Sequence, residues 1–187
     1  MNTYDFDKTI FYPDSSAAFY CFCFRRFPRA VWKSVPRSLV MTIGYAFKKL
    51  DAKALKQQLF SFLPDIADID SAVLDFWSKN RRRIGEWYLR QKRDDDVIIS
   101  ASPEFLLKPV CDELGVALIG TRMDKNTGRI IGLNCHDSEK VSRFLTAFPD
   151  GHTEAFYSDS LSDTPMAELA DSAFMVKKNR VMPWPEK

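Results

Sequence analysis

From Asp96 onward the chain alternates short apolar runs with helix-length amphipathic segments, and this alternation constrains the fold more than any other feature. Residues 97–99 (Val-Ile-Ile) read as a buried strand. The run ends in Ser100-Ala101-Ser102-Pro103, where Ser102 is placed to N-cap a helix with Pro103 at its first position. Gly115 stops that helix, and residues 116–119 form the next strand. Asn126-Thr127-Gly128 is a turn signal between residues 122–124 and 129–132, which predicts a small hairpin. Asp137 or Ser138 opens a helix that reaches Phe148. Residues 155–157 and 173–176 are short strands flanking a helix that starts near Pro165. Together these elements predict an α/β fold: a three-layer, Rossmann-like parallel sheet with helices on both faces.

The N-terminal half follows a different pattern. Residues 1–7 set Tyr4 and Phe6 between polar residues and lead into a turn, the mark of a first strand ending at an acidic site. Between Ser15 and Arg93 the periodicity is helical. Val73, Phe76, Trp77, Ile84, Trp87 and Tyr88 recur at spacings of three and four, the stripe of one amphipathic helix. Asp51 is an N-cap for the AKALKQQLFSFL segment, and Pro28, Pro36 and Pro64 punctuate the region. The expected organisation is a core of residues 1–11 and 94–187, interrupted by an all-helical cap at 12–93.

Charge follows the same division. Residues 12–93 hold sixteen Lys/Arg against seven Asp/Glu, while 1–11 and 94–187 hold eleven against eighteen. The two parts are suited to different tasks. Apolar content of 45% across 187 residues supports a packed interior and excludes wholesale disorder. Cys21, Cys23, Cys111 and Cys135 lack CxxC spacing, and with only two histidines present a structural zinc site has too few ligands. The N-terminus carries acids where a secretory signal needs basic residues and an apolar run, and no uncharged apolar stretch reaches about 18 residues. The expected setting is a reduced cytoplasm.

Open α/β sheets bind ligands at the carboxyl ends of their strands. The polar residues that follow the predicted strands are Asp5 and Asp7, then Ser100, then Asp159 with Asp163, while Lys140 falls in the first turn of a helix. Four carboxylates on one edge repel each other unless a cation sits among them. Oxygen-only ligation without histidine points to magnesium, an ion that favours phosphate partners. Lys140 and the Ser100 hydroxyl then supply positive charge and a hydrogen-bond donor for a phosphoryl group.

These residues carry a specific resemblance. Asp5-Phe6-Asp7-Lys8-Thr9 resembles the first motif, DxDx[T/V], of the haloacid dehalogenase superfamily, and Val97-Ile98-Ile99-Ser100 resembles its second. Lys140 is similar to the third-motif lysine, and Ser158-Asp159-Ser160-Leu161-Ser162-Asp163 to the fourth motif. The four stand in order over nearly the whole chain, and the helical insertion is similar to the cap of the phosphoserine-phosphatase-like branch. The resemblance implies a nucleophile at Asp5 and a general acid and base at Asp7. It also implies magnesium held by Asp5, Asp159 and the Asp7 backbone carbonyl, with Asp163 bonding the ion's waters or the lysine. Ser100 and Lys140 would grip the phosphoryl oxygens, and Thr9 would orient the first loop.

The substrate is less sharply specified. Asp14 stands where phosphoserine phosphatases carry a longer glutamate, and Ala101-Ser102 replace their Gly-Gly pair, so Thr9, Asp14, Ala101 and Ser102 are the candidate substrate contacts. Ser-Ala-Ser-Pro, Asn134-Cys135 and Arg180-Val181-Met182-Pro183 resemble relatives of phosphatidylglycerophosphatase C instead. From Ser15 to Leu50 there are seven basic residues (Arg25, Arg26, Arg29, Lys33, Arg37, Lys48, Lys49) and no acidic one, interleaved with aromatics that include Trp32, Tyr45 and Phe47. Such a pattern suits the surface of an anionic membrane; it equally suits a cap whose aromatics pack inward and whose bases face water. The expected partner is a phosphorylated small molecule or lipid, with peripheral membrane contact and no nucleic acid. A catalytically idle binding module and a phosphotransferase using an acceptor other than water are the alternatives.

Overall fold

The apolar runs pair into one sheet. A computed structural model describes residues 1–46 and 51–185; Phe47, Lys48 and Lys49 lie outside them, as does the side chain of Tyr45. Strand β1 (Asn2–Tyr4) is followed by six helices: α1 (Ser15–Arg26), α2 (Pro28–Trp32), α3 (Val35–Ala46), α4 (Ala52–Leu59), α5 (Ile69–Asn80) and α6 (Glu86–Gln91). Then come β2 (Val97–Pro103), α7 (Glu104–Leu114), β3 (Ala117–Thr121), a hairpin of β4 (Met123–Asp124) and β5 (Arg129–Ile130), and α8 (Ser138–Ala147). The chain ends with β6 (Ala155–Ser158), α9 (Thr164–Leu169), β7 (Ser172–Lys177) and β8 (Arg180–Pro183).

The main sheet has the order β3-β2-β1-β6-β7-β8, parallel except for the last strand, which runs antiparallel to β7. The chain therefore leaves β1 in one direction to β2 and β3, then returns to β1's other side at β6. The crevice between β1 and β6 is the topological switch point, where such sheets open to ligands. Helices cover both faces. Phe19, Val73, Phe76 and Trp77 of the insertion share one continuous cluster with Tyr4, Ile98 and α7's Leu106 and Val110. Phe144 of α8 and Met166 of α9 pack on Val97, Ile99 and Phe156 from the other side. Among the described residues, no helix is long and apolar enough to cross a membrane.

Two expectations are corrected, and one strand is new. Ser102 does not cap α7: it lies within β2, and Pro103 takes the cap position without a side-chain bond. The stripe from Val73 to Tyr88 belongs to two helices, because the chain breaks over Arg81–Arg83 and Ile84 pairs with Phe11. Strand β8, an exposed edge, was not expected at all. The hairpin forms as predicted, with Gly128 at φ +69° beside the Phe60 carbonyl, into which a Cβ at this position would run. Gly128→Ala is expected to cost about 2–3 kcal/mol, against about 1 kcal/mol for Gly132→Ala, which has positive φ but open space around it. Parallel thermal melts of the two variants check this ordering.

Candidate active site

Alternation along the first strand and its loop aims the acids. Phe6, Ile10 and Phe11 are buried; Phe6 stacks on Phe11 at 5.6 Å, and Trp77 meets both rings edge-on. Trp77 is itself pinned by an Nε1–H bond to the Leu106 carbonyl at 2.6 Å. With these aromatics anchored, Asp5 and Asp7 are presented to a cavity of about 430 Å3 at the β1–β6 crevice. Asp14, Ala101, Ser102, Lys140, Asp159 and Asp163 line the same cavity.

Lys140 is the centre of this wall. It is buried, and its Nζ donates to Asp5 Oδ1 and to Asp163 Oδ2, both at 2.7 Å. Burial works against its charge, but the two carboxylates outweigh that and hold its pKa above the usual lysine value. Burial pushes the Asp5 carboxyl upward, and the Lys140 ammonium pulls it partly back. Asp163 is steadied by a second donor, the Ser158 hydroxyl at 2.7 Å. Thr9 ties the first loop to the last: its hydroxyl donates to Asp5 Oδ2 at 3.1 Å and accepts the Asp159 N–H at 2.9 Å.

Asp7 is half-buried and held at both oxygens. Ser15 N–H donates to Oδ1 and the Ser102 hydroxyl to Oδ2, each at 2.5 Å. Burial, reinforced by Asp14, pushes its pKa up to about 6 despite those donors. Asp14 caps α1 by accepting the Ala17 N–H at 2.9 Å. Ser100 does not face the cavity here; its Oγ accepts the Ser102 N–H at 3.0 Å. Burial chiefly raises the Asp159 carboxyl.

Among the described residues, no three His, Cys, Asp or Glu side chains are gathered tightly enough to hold a metal unaided. The donor set nevertheless suits an ion that keeps part of its water. Asp5 and Asp159 offer oxygens to one cavity, and magnesium is commonly held by one or two carboxylates while waters and phosphate oxygens complete its shell.

A family model described as haloacid dehalogenase-like hydrolase matches residues 3–168. The chain belongs to that family. The fold of this haloacid dehalogenase-like hydrolase is shared with a protein of unknown function from Bordetella pertussis Tohama I, at TM-score 0.78 and 20% identity, covering 92% of this chain and 87% of that one. It is shared also with a phosphoserine phosphohydrolase-like protein from Francisella tularensis subsp. tularensis SCHU S4, at TM-score 0.57 and 17% identity over 92% and 86% of the two chains. A phospho-aspartyl intermediate analogue of phosphoserine phosphatase matches at TM-score 0.57 and 16% identity, over 91% and 83%. Comparison with curated proteins gave no significant match.

The family motifs do not include every polar group at the cavity. Lys56 of α4 donates to the Ala101 carbonyl at 2.5 Å and to Asn134 Oδ1 at 2.7 Å, and burial lowers its pKa to about 8 against the pull of Asp7 and Asp14. Thr121 joins the same knot through the Ala101 carbonyl and Asn134. Ser16 and His136 also face the cavity. Sequence offered no signal for Lys56: it is one of two lysines on a helix whose orientation the pattern leaves open.

Proposed function

We propose that this hydrolase cleaves phosphomonoesters through a phosphoryl group carried on Asp5, taking a small or lipid-linked phosphate as substrate. The observation that supports this most directly is the buried Asp5–Lys140–Asp163 triad, with Asp7 on the same cavity wall. Lys140 restrains Asp5 through Oδ1 and offsets part of the cost of its burial, while Thr9 holds Oδ2 by a single longer bond. In the first step an Asp5 oxygen forms a bond to phosphorus while the bond to the leaving oxygen breaks. Asp7 gives that oxygen its proton. A carboxyl pushed up to about 6 lies closer to neutrality than an ordinary one, which suits a group that must both give and take a proton. In the second step Asp7 takes a proton from water as the water attacks phosphorus, which releases phosphate and restores Asp5.

Ser102 and Ser15 hold Asp7 for both transfers. Lys140 serves the phosphoryl oxygens once substrate competes for its present partners; the Ser100 hydroxyl joins it only if the turn that holds its Oγ against the Ser102 N–H rearranges. Asp5, Asp159 and the Asp7 backbone carbonyl would hold magnesium, which would supply charge neutralisation at the phosphoryl group. Asp163 acts through Lys140, since its Oδ2 is already shared between that lysine and Ser158. The insertion contributes Asp14, Ser16, Ala17 and Lys56 to the cavity, so residues outside the four motifs select the leaving group.

A screen of phosphomonoesters with and without a chelator tests this reading. Activity is expected to fall to background in EDTA and to return when magnesium is added in excess. Full activity in the chelator would remove the metal from the mechanism, and no activity toward any phosphomonoester would remove the reaction itself.

A further inference from the structure

Helix α3 turns most of its aliphatic surface outward. Val35 packs partly against the core, but the fully buried positions here are polar: Ser34, just before the helix, and Ser38 are 8% and 4% exposed, and the buried Ser38 hydroxyl has no hydrogen-bond partner among the described residues. Its outer side is aliphatic, with Leu39, Val40 and Ile43 at 61%, 68% and 51% exposure. A surface helix ordinarily does the reverse, turning its apolar stripe to the core. The aliphatic side of α3 is left facing solvent, with Val35 alone of its branched residues packed on the core. Trp32, at the end of α2, continues the exposed apolar surface at 64% and rests against Phe24 at 6.1 Å.

The charge around this surface identifies what covers it. Arg29, Lys33 and Arg37 are exposed beside it. Between Ser15 and Leu50 there is no acidic residue; among the described residues Lys33 pairs with Asp65 at 3.5 Å, both exposed to solvent. A second copy of the chain would bring the same three cations against these, and a purely apolar partner would leave them unanswered. A bilayer with anionic headgroups satisfies all the parts together: aliphatics enter the acyl boundary, an indole sits at the interface, and cations meet phosphates.

We infer that α2 and α3 form a peripheral docking surface for an anionic lipid bilayer, with Trp32, Leu39, Val40 and Ile43 entering the headgroup region. The surface is independent of the catalytic acids but adjoins them through the fold. Helix α3 packs on α4, and α4 lends Ala52, Leu55, Lys56 and Leu59 to the cavity. Docking would hold at the lipid the helix on which a cavity-lining helix packs.

Flotation of the full chain with phosphatidylglycerol-containing vesicles, and with phosphatidylcholine vesicles for comparison, tests this. Wild type is expected to float with the anionic vesicles at low salt, with Trp32 fluorescence shifting to the blue, a shift lost in Trp32→Phe. Leu39→Ser/Val40→Ser/Ile43→Ser is expected to weaken binding at least tenfold, with melting temperature and activity on a soluble phosphomonoester unchanged. Arg29→Gln/Lys33→Gln/Arg37→Gln is expected to weaken it about a hundredfold, at about fivefold per cation. Asp5→Asn should float like wild type, which separates docking from chemistry. Wild type that stays unbound at low salt overturns the inference. So does undiminished binding by both triple variants, or a dimer in solution that the Leu39/Val40/Ile43 substitutions split.

Discussion

Asp5→Asn is expected to lower kcat for a phosphomonoester by a thousandfold or more, about 4 kcal/mol of lost transition-state stabilisation, while the protein stays folded. The amide keeps the shape of the carboxylate but cannot form the phosphoryl bond. Its effect on stability should run the other way. The buried triad sets two carboxylates against one ammonium, and Asp5 is the member whose pKa burial raises. A carboxyl raised in the folded state contributes stability at low pH that is lost as pH rises, so ionised Asp5 opposes folding near neutrality. Asn removes that charge and leaves Lys140 paired with Asp163. The metal-free variant should therefore melt at or above the wild-type temperature, with the difference growing from acid to neutral pH. Steady-state kinetics with a melt of each protein checks both halves. Substantial turnover by Asp5→Asn would falsify the nucleophile assignment.

That the cavity's acids and Lys140 could be read from sequence while their supports could not has a physical reason. Asp5 and Asp159 directly follow β1 and β6, Asp7 lies in the loop after β1, Asp163 immediately precedes α9 and Lys140 is in the first turn of α8, so recognising the element places the residue. Ser102 also follows the apolar run, but its role depends on Asp7, ninety-five residues away, and local pattern favoured a helix cap over a distant hydrogen bond. Lys56 reaches the Ala101 carbonyl from a helix forty-five residues upstream. The broken stripe after Asn80 has the same origin: spacing stays helical through Ile84, yet Ile84 is drawn into pairing with Phe11 and Gly85 N–H with the Ile10 carbonyl at 2.7 Å. Strand β8 carries no burial alternation and ends in proline, as an edge strand is free to do, so a pattern search had nothing to detect. The orientation of α3 was hidden for a related reason. Its apolar content was visible, but which side faced inward is fixed by packing on α2 and α4.

Lys140→Met should produce the largest loss of stability. Methionine approximates the stem of the lysine but leaves Asp5 and Asp163 buried against each other with no cation. Removing one partner from a buried ion pair costs about 3–5 kcal/mol. For a chain of this size that lowers the melting temperature by about 6–20 °C. The loss has a pH signature. The Asp5 carboxyl, already raised by burial, rises further once the ammonium that pulled it down is gone. The folded variant then holds its proton to higher pH than the unfolded chain does, so the penalty is small in acid and grows as pH climbs through the raised value. Adding Asp5→Asn to Lys140→Met removes the repulsion at its source, and the double variant should recover much of the lost stability while remaining inactive. Such recovery is the non-additivity expected of groups that share one buried site. Melts of the two single variants and the double variant across acid to neutral pH decide the point: additive losses with no pH dependence would mean that Lys140 stabilises the fold by packing alone.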